Sequence, residues 1–229
     1  MERLFDIQID KLKTKLIKMC SLVDEQVEFA IRSIEKNNHT LADIVEDRDN
    51  RVDKYDIKIE KICQKMFALN QPVAMDLRLI MSALKINANL ERIGDIAVNI
   101  ALDSKELQAI PEFFPRLHFN EIAGIARSMI KMAIDSFISN DIDLAKKVIS
   151  SDDKLDDLVI EDSKLIKEIM KEKTENIDSG LIFYSVFREL ERLGDHATNI
   201  GEEVYFIMKA QLIKHSNEDF SENSENNDT

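Results

Sequence analysis

The chain of 229 residues has few of the residues that interrupt helices. Only five Gly and three Pro occur, too few for the frequent turns of a β-sandwich or a barrel. No stretch of about 18 residues is continuously apolar, and no apolar segment follows Met1, so we expect neither a membrane-spanning helix nor a secretory leader. The two cysteines, Cys20 and Cys63, form no Cys-x-x-Cys pair, which favours a reducing compartment. These features predict a cytoplasmic, helical protein.

Basic residues are also fewer than acidic residues. The formal net charge is −13 at pH 7, with 31 Lys and Arg against 44 Asp and Glu, and no basic stripe interrupts the excess. Such a surface repels the phosphate backbone of DNA and RNA and the headgroups of anionic lipids. The partners that suit an acidic surface are metal cations and basic protein surfaces. Any contact with a membrane is therefore expected to pass through a protein partner.

The breaks that do occur divide the chain into six segments. Asn37-Asn38-His39 predicts a turn, after which Thr40, with Asp43 in a capping-box position, is expected to begin a helix. Each segment has helical periodicity, and long helices joined by short turns pack as antiparallel bundles. The segments cover residues 2–37, 41–70, 73–106, 116–139, 141–174 and 177–214. The acidic remainder, 215–229, has almost no apolar residues and is expected to be disordered.

The two halves of the chain repeat each other. Glu-Arg-Ile-Gly-Asp at 91–95 returns as Glu-Arg-Leu-Gly-Asp at 191–195, and Leu41-Ala42 returns as Leu144-Ala145 at a constant offset of 103 along that segment. A repeat of this length predicts two copies of one supersecondary unit. We therefore expect an all-α fold of two tandem, pseudo-symmetric, antiparallel three-helix bundles with six long helices. The units would be 1–106 and 116–214, with the Pro-containing stretch 107–115 as the linker.

Acidic pairs spaced by four residues are the features most suggestive of chemistry. Two carboxylates at i and i+4 share one face of a helix and repel each other unless a cation lies between them. Along the third segment these acids line a stripe beside the apolar seam of Leu90, Ile93 and Ala97, where a neighbouring helix can present a second pair. The pairs are Asp49 with Asp53, Glu91 with Asp95, Asp152 with Asp156, and Glu191 with Asp195.

Four carboxylates brought together would form an oxygen-rich site for a hard metal ion or a small cluster. One such site per half is expected, and Asn99 and Asn199 extend the same stripe and could add an amide oxygen. The alternative is that the acids are an ordinary solvated face. Recurrence in both halves, together with the mid-helix Gly94 and Gly194, favours metal binding, because a glycine there costs about 1 kcal/mol relative to alanine.

Catalytic motifs are not found in the sequence. It has no Glu-x-x-His pattern of a di-iron bundle enzyme, no Gly-rich nucleotide loop and no Ser/His/Asp set. Of the four histidines, only His196 lies beside an acidic motif, where a surface role is as plausible as ligation. A metal-dependent hydrolase or oxidase built in a helical bundle stays open as the alternative to a binding protein.

The repeated motifs resemble those of a known family. Residues 91–100 and 191–200, with Gln71-Pro72 and Asp76-Leu77-Arg78 at the entry to the third segment, are similar to the signatures of the PhoU phosphate-uptake regulators. This resemblance implies two three-helix bundles whose acidic motifs bind metal, either iron, zinc, manganese or magnesium. It also implies an adaptor that represses the phosphate-starvation response, between the ATPase subunit of a phosphate ABC transporter and a sensor histidine kinase. A homodimer is a further possibility.

Overall fold

A computed structural model describes residues 4–211 of the chain. Within that range the protein consists of six long helices and short turns, and no strand is present. This confirms the all-α prediction. The helices are α1 Leu4–Glu35, α2 His39–Asn70, α3 Ala74–Glu106, α4 Phe119–Ser139, α5 Ile142–Glu172 and α6 Ile177–Lys209. The tail expected to be disordered, 215–229, lies outside the described residues.

The first turn of each half has the same construction. Asn37 and Asn140 both take the left-handed conformation, with φ of 44° and 54°, which asparagine tolerates better than most residues. Asn38 then caps α2 by accepting hydrogen bonds from the backbone N–H of Thr40 and Leu41, and Asp141 caps α5 in the same way. The helix begins at His39, one residue before the predicted Thr40, because the amide oxygen of Asn38 reaches the free N–H groups first.

The remaining boundaries follow from proline and from backbone conformation. Residues Phe114–Arg116 form a short 3-10 turn around Pro115, so α4 begins at Phe119 and not at the predicted residue 116. A second 3-10 turn, Thr174–Asn176, separates α5 from α6. The last helix ends at Lys209, where Ala210 has a φ of 58°, and not at the predicted residue 214.

Helices α1 to α3 form one antiparallel bundle and α4 to α6 form the other, and α3 and α6 pack along each other to join them. The predicted seam of α3 is fully buried: Leu90, Ile93 and Ala97 have no exposed surface. Apolar residues of both halves belong to one continuous core. Burial of such helix faces, and not helix propensity alone, supplies most of the stability of long helices.

The connection between the halves is fixed to the second bundle by aromatic rings. Phe113 and Phe114 of the connection contact Phe183 of α6, with ring centroids 6.0 and 5.3 Å apart. Phe119 and Phe187 complete this aromatic cluster. Beside it, the buried carboxylate of Asp162 accepts hydrogen bonds from the backbone N–H and the ring of His118, which holds the start of α4 against α5.

The contact between α3 and α6 contains an ion pair whose carboxylate is buried. Glu203 is 3% exposed, and its two oxygens accept hydrogen bonds from the Ser82 hydroxyl at 2.9 Å and the Lys85 ammonium at 2.8 Å. At the opposite end of the contact, the residues related by the repeat are Asp103 and Ser185. Burial is the main cause that raises the pKa of Asp103, and the Ser185 hydrogen bond opposes it. The two ends of the interface are therefore built alike but carry different charges.

Candidate metal centres

In the first half, the acidic pairs of α2 and α3 lie on facing surfaces of the two helices. The absence of a side chain at Gly94 permits this approach: a Cβ atom there would lie 3.3 Å from Val52 Cγ1 and 3.5 Å from Asp49 Oδ1. Asp53 and Asp95 both act electrostatically on Asp49. The structure therefore brings the α2 pair and the α3 pair into one acidic group, with Asp49 at its buried side. We call Asp49, Asp53, Glu91 and Asp95 the first acidic group.

Burial and mutual repulsion raise the pKa values of carboxyl groups in the first acidic group. Burial is the main cause that raises the pKa of Asp49; a hydrogen bond from Gln26 lowers it, and the charges of Asp53 and Asp95 add to the rise. The pKa of Glu91 is raised by burial and then by Asp95. Arg92 opposes the rise at Glu91 only in part, and a bound cation would favour the ionised form of both carboxylates.

The second half has the same arrangement between α5 and α6. Asp152, Asp156, Glu191 and Asp195 form the second acidic group. The pKa of Asp152 is raised to about 6 by burial, then by the charges of Asp156 and Asp195, while a hydrogen bond from Thr198 acts in the opposite direction. Burial, then Glu191 and Asp195, raise the pKa of Asp156. The oxygen Oδ1 of Asp156 is buried and has no hydrogen-bond partner.

Arginines at the rim of each group offset part of its charge. Arg92 lies 2.9 Å from Asp95 Oδ2 and 3.5 Å from Glu91 Oε2. In the second half Arg188 pairs with Glu191, whereas Arg192 pairs with Glu189 instead. All three arginines are about half exposed, so they can move aside at little cost, because exposed ion pairs contribute only about 0–1 kcal/mol.

The chemistry of both groups fits a hard cation, although their side chains are not closed around a common centre. All candidate ligands are oxygens, as Mg²⁺ and Mn²⁺ prefer. Among residues 4–211, however, no three His, Cys, Asp or Glu side chains converge closely enough to hold a metal ion as they stand. Binding would therefore require the half-exposed carboxylates to turn inward, which their position on helix faces allows. Metal ligation by these eight acids stays a prediction.

The two asparagines proposed as additional ligands lie in the contact between the halves. Asn99 is exposed, and its amide nitrogen donates to Glu189 of α6 at 3.4 Å. Asn199 lines a surface cavity of about 260 Å³ together with Asn89 and Glu203. Nearby, the Nδ1–H of His196 donates a hydrogen bond to the Asn89 amide oxygen at 2.9 Å, and burial lowers the pKa of His196. His196 thus joins α6 to α3.

One polar residue at the first acidic group is not evident from the repeated motifs. Gln26 of α1 is fully buried, and its amide nitrogen donates to Asp49 Oδ1 at 3.1 Å and to the Val45 carbonyl at 3.3 Å. Its amide oxygen is buried without a partner. The only signal in the sequence is a polar residue in an otherwise apolar helix face, between Val23 and Ala30.

Comparison with known proteins gives the same division of the chain. The family model of the PhoU domain matches twice, over residues 16–103 and 119–204. The chain belongs to the PhoU family. Each match covers one bundle, so a PhoU domain corresponds here to three helices and one acidic group. The predicted family resemblance is confirmed.

Relatives and a solved structure agree with this assignment over almost the whole chain. The chain is 35% identical over 208 residues to a phosphate-specific transport system accessory protein PhoU homolog of Aquifex aeolicus, covering 91% of this chain and 94% of the relative. A PhoU homolog of Thermotoga maritima is 32% identical, with 92% and 91% covered. The crystal structure of PhoU from Pseudomonas aeruginosa superposes with a TM-score of 0.87 at 30% identity, covering 90% and 100%.

Length and hydropathy distinguish the helices of residues 4–211 from membrane spans. None of them is both long and apolar enough to cross a bilayer.

Proposed function

We propose that this PhoU protein is a cytoplasmic, metal-binding regulator of phosphate uptake and of the phosphate-starvation response. It would act as an adaptor between the ATPase subunit of a phosphate ABC transporter and a sensor histidine kinase. The observation that carries the proposal is the pair of PhoU domains, together with relatives named as accessory proteins of the phosphate-specific transport system. The net charge of −13 suits basic partner surfaces, which steer association electrostatically.

Binding, and not catalysis, is the role that the site supports. The acidic groups offer carboxylates for a cation, and the relatives are named for an accessory role. The enzyme alternative would require turnover that depends on the metal. We expect no metal-dependent hydrolysis of a phosphomonoester above the rate in buffer alone. The enzyme would be favoured instead by sustained turnover that Asp152→Asn with Asp156→Asn abolishes.

The adaptor role can be tested by deletion followed by capture. In phosphate-rich medium, deletion of the gene is expected to release the expression of phosphate-starvation genes, which the intact gene should restore. The purified protein should retain the transporter ATPase or the kinase at low salt and lose it as salt rises, because screening weakens contacts between opposite charges. Full repression in the deletion strain, with neither partner retained at low salt, would contradict the proposal.

Metal binding is expected to stabilise the fold. For each site, a free Mn²⁺ concentration of 100 times the Kd of that site adds about 2.7 kcal/mol when the ion binds the folded state alone. This corresponds to a rise in Tm of about 5–10 °C per site for a protein of this size. Substituting both Asp152→Asn and Asp156→Asn should remove the share of this rise that comes from the second acidic group. The same change should stabilise the metal-free protein, because it relieves repulsion.

The chain supplies a matched control on the same helix. Asp153 and Asp157 are also four residues apart on α5, but both face solvent. Asp153→Asn with Asp157→Asn changes the net charge equally and should leave most of the Mn²⁺-dependent rise in Tm, because Asp153 acts on Asp152 and Asp156 only through its charge. Equal rises in the wild type and in both variants would count against metal binding by these acids. Differential scanning fluorimetry with EDTA and with added Mn²⁺ provides the measurement.

A further inference from the structure

The buried amide of Gln26 is directed at the first acidic group. A Cβ atom at Gly94 would lie 3.6 Å from Gln26 Oε1 and 3.5 Å from Asp49 Oδ1, so both oxygens border the space that the glycine leaves free. Gln26 has no exposed surface, and its oxygen has no partner. A buried acceptor without a partner costs about 1–3 kcal/mol. Gln26 thus places a neutral, buried oxygen beside the Asp49 carboxylate of the first acidic group.

The second half has a different residue in this place. The register of the repeat is set by matching contacts: Ser33 donates to the Ala30 carbonyl, and Ser136 to the Ala133 carbonyl, each at 2.7 Å. The same offset relates Gln26 to Met129, and a Cβ atom at Gly194 would indeed lie 3.5 Å from Met129 Cε and 3.4 Å from Asp152 Oδ1. A thioether thus replaces the amide.

The hydrogen-bond donor to the buried aspartate has changed helix between the halves. Asp49 receives its hydrogen bond from Gln26 of α1, whereas Asp152 receives one from the Thr198 hydroxyl of α6 at 3.2 Å. The residue of α3 that corresponds to Thr198 is Val98, whose side chain cannot donate a hydrogen bond. Each aspartate keeps one neutral donor, but only the donor in the first half brings a spare oxygen with it.

We propose that the two acidic groups are inequivalent cation sites, and that the first binds a hard divalent cation more tightly because Gln26 adds a neutral oxygen ligand. This rests on the proposed metal binding and concerns the difference between its two sites. Amide oxygens are ordinary ligands of hard cations, whereas the thioether of Met129 is a soft donor that such cations avoid. The first site therefore fills before the second.

The test is calorimetric titration of the full chain with Mn²⁺, one site at a time. Asp152→Asn with Asp156→Asn leaves only the first site, and Asp49→Asn with Asp53→Asn leaves only the second. We expect the Kd of the first site to be about tenfold lower than the Kd of the second. Tenfold is about the lower end of the usual effect of changing one group that supports a metal site.

Reciprocal exchanges then assign the difference to the named residues. Gln26→Met with Val98→Thr, made where only the first site remains, should raise its Kd about tenfold. Met129→Gln with Thr198→Val, made where only the second remains, should lower its Kd by a similar factor. Each side chain already occurs at the equivalent position of the other half. The gain expected from Met129→Gln cannot arise from damage to the fold, and Val98→Thr alone should leave Kd unchanged.

The possible failures are distinct. Equal Kd values for the two single-site proteins, unchanged by both exchanges, would overturn the inequivalence and leave metal binding intact. The inequivalence would also be overturned if the second site were the tighter one. The assignment of the difference to Gln26 would be overturned if Val98→Thr alone accounted for the loss at the first site. No heat of Mn²⁺ binding by the wild-type chain would overturn the proposed metal function and this inference together.

Discussion

Replacing Phe183 by alanine is expected to lower the free energy of unfolding by about 3–5 kcal/mol, the usual cost of removing a buried aromatic ring. The ring is 1% exposed and touches four other rings, those of Phe113, Phe114, Phe119 and Phe187. Its removal would leave a cavity at the point where the connection between the halves meets α6. The cavity would lie in the packed core, where the surrounding side chains relax only in part.

Urea unfolding followed by circular dichroism measures this effect. Leu181→Ala is the matched control, because that side chain lies two residues away on the same helix but is 56% exposed. Its cost should stay within about 0.5 kcal/mol, as for most surface substitutions. If Phe183→Ala cost less than about 1 kcal/mol, the ring could not hold the connection in the way that its contacts indicate.

Replacing Lys85 by methionine is expected to destabilise the protein by about 1–3 kcal/mol. The change removes the cation that faces Glu203 and leaves a carboxylate with 3% exposure and one hydroxyl donor, Ser82. Losing one partner of a fully buried pair costs about 3–5 kcal/mol. A smaller effect is expected here because the Lys85 side chain is 38% exposed, so that solvent already screens the pair and water can replace the ammonium.

A double-mutant cycle separates the pair from the packing. Glu203→Gln keeps the shape of the side chain and its acceptor for Ser82, so it should cost less than Lys85→Met. With both substitutions present, the total loss should be smaller than the sum of the two single losses, because no buried charge remains unpaired. Additive losses would show that Lys85 contributes through its contact with the Phe206 ring and not through the charge of Glu203.

The fold could be predicted closely because its determinants are local. The helical period of the apolar residues marked the buried seam of α3, and breaks at Asn37, Asn140 and Pro115 marked the turns. Errors of one to three residues arose where a cap or a 3-10 turn competes with the helix, as at Asn38 and around Pro115. Such choices depend on which side chain reaches a free N–H group, which spacing alone does not reveal.

The acidic groups could be predicted as pairs because residues four apart share a helix face. What the sequence did not provide was the third helix at each group. Gln26 reaches Asp49 from 23 residues away, and its replacement by Met129 in the second half conceals the correspondence. Asp162 and Glu203 likewise look like solvated acids in the sequence, yet both are buried. Their partners, His118 before α4 and Lys85 of α3, are distant in the sequence.

The contact of α3 with α6 has the form of a dimer interface, yet one chain supplies both sides. In a symmetric dimer of identical subunits, every interface residue occurs twice, so a lysine at one end requires a lysine at the other. Joining the copies in one chain removes this requirement. The position of Lys85 at one end of the interface is occupied by a serine, Ser185, at the other end. Linkage also holds the partners at a high effective concentration that dilution does not reduce. The two ends of the interface are thus free to diverge in evolution while the assembly persists at any cellular concentration.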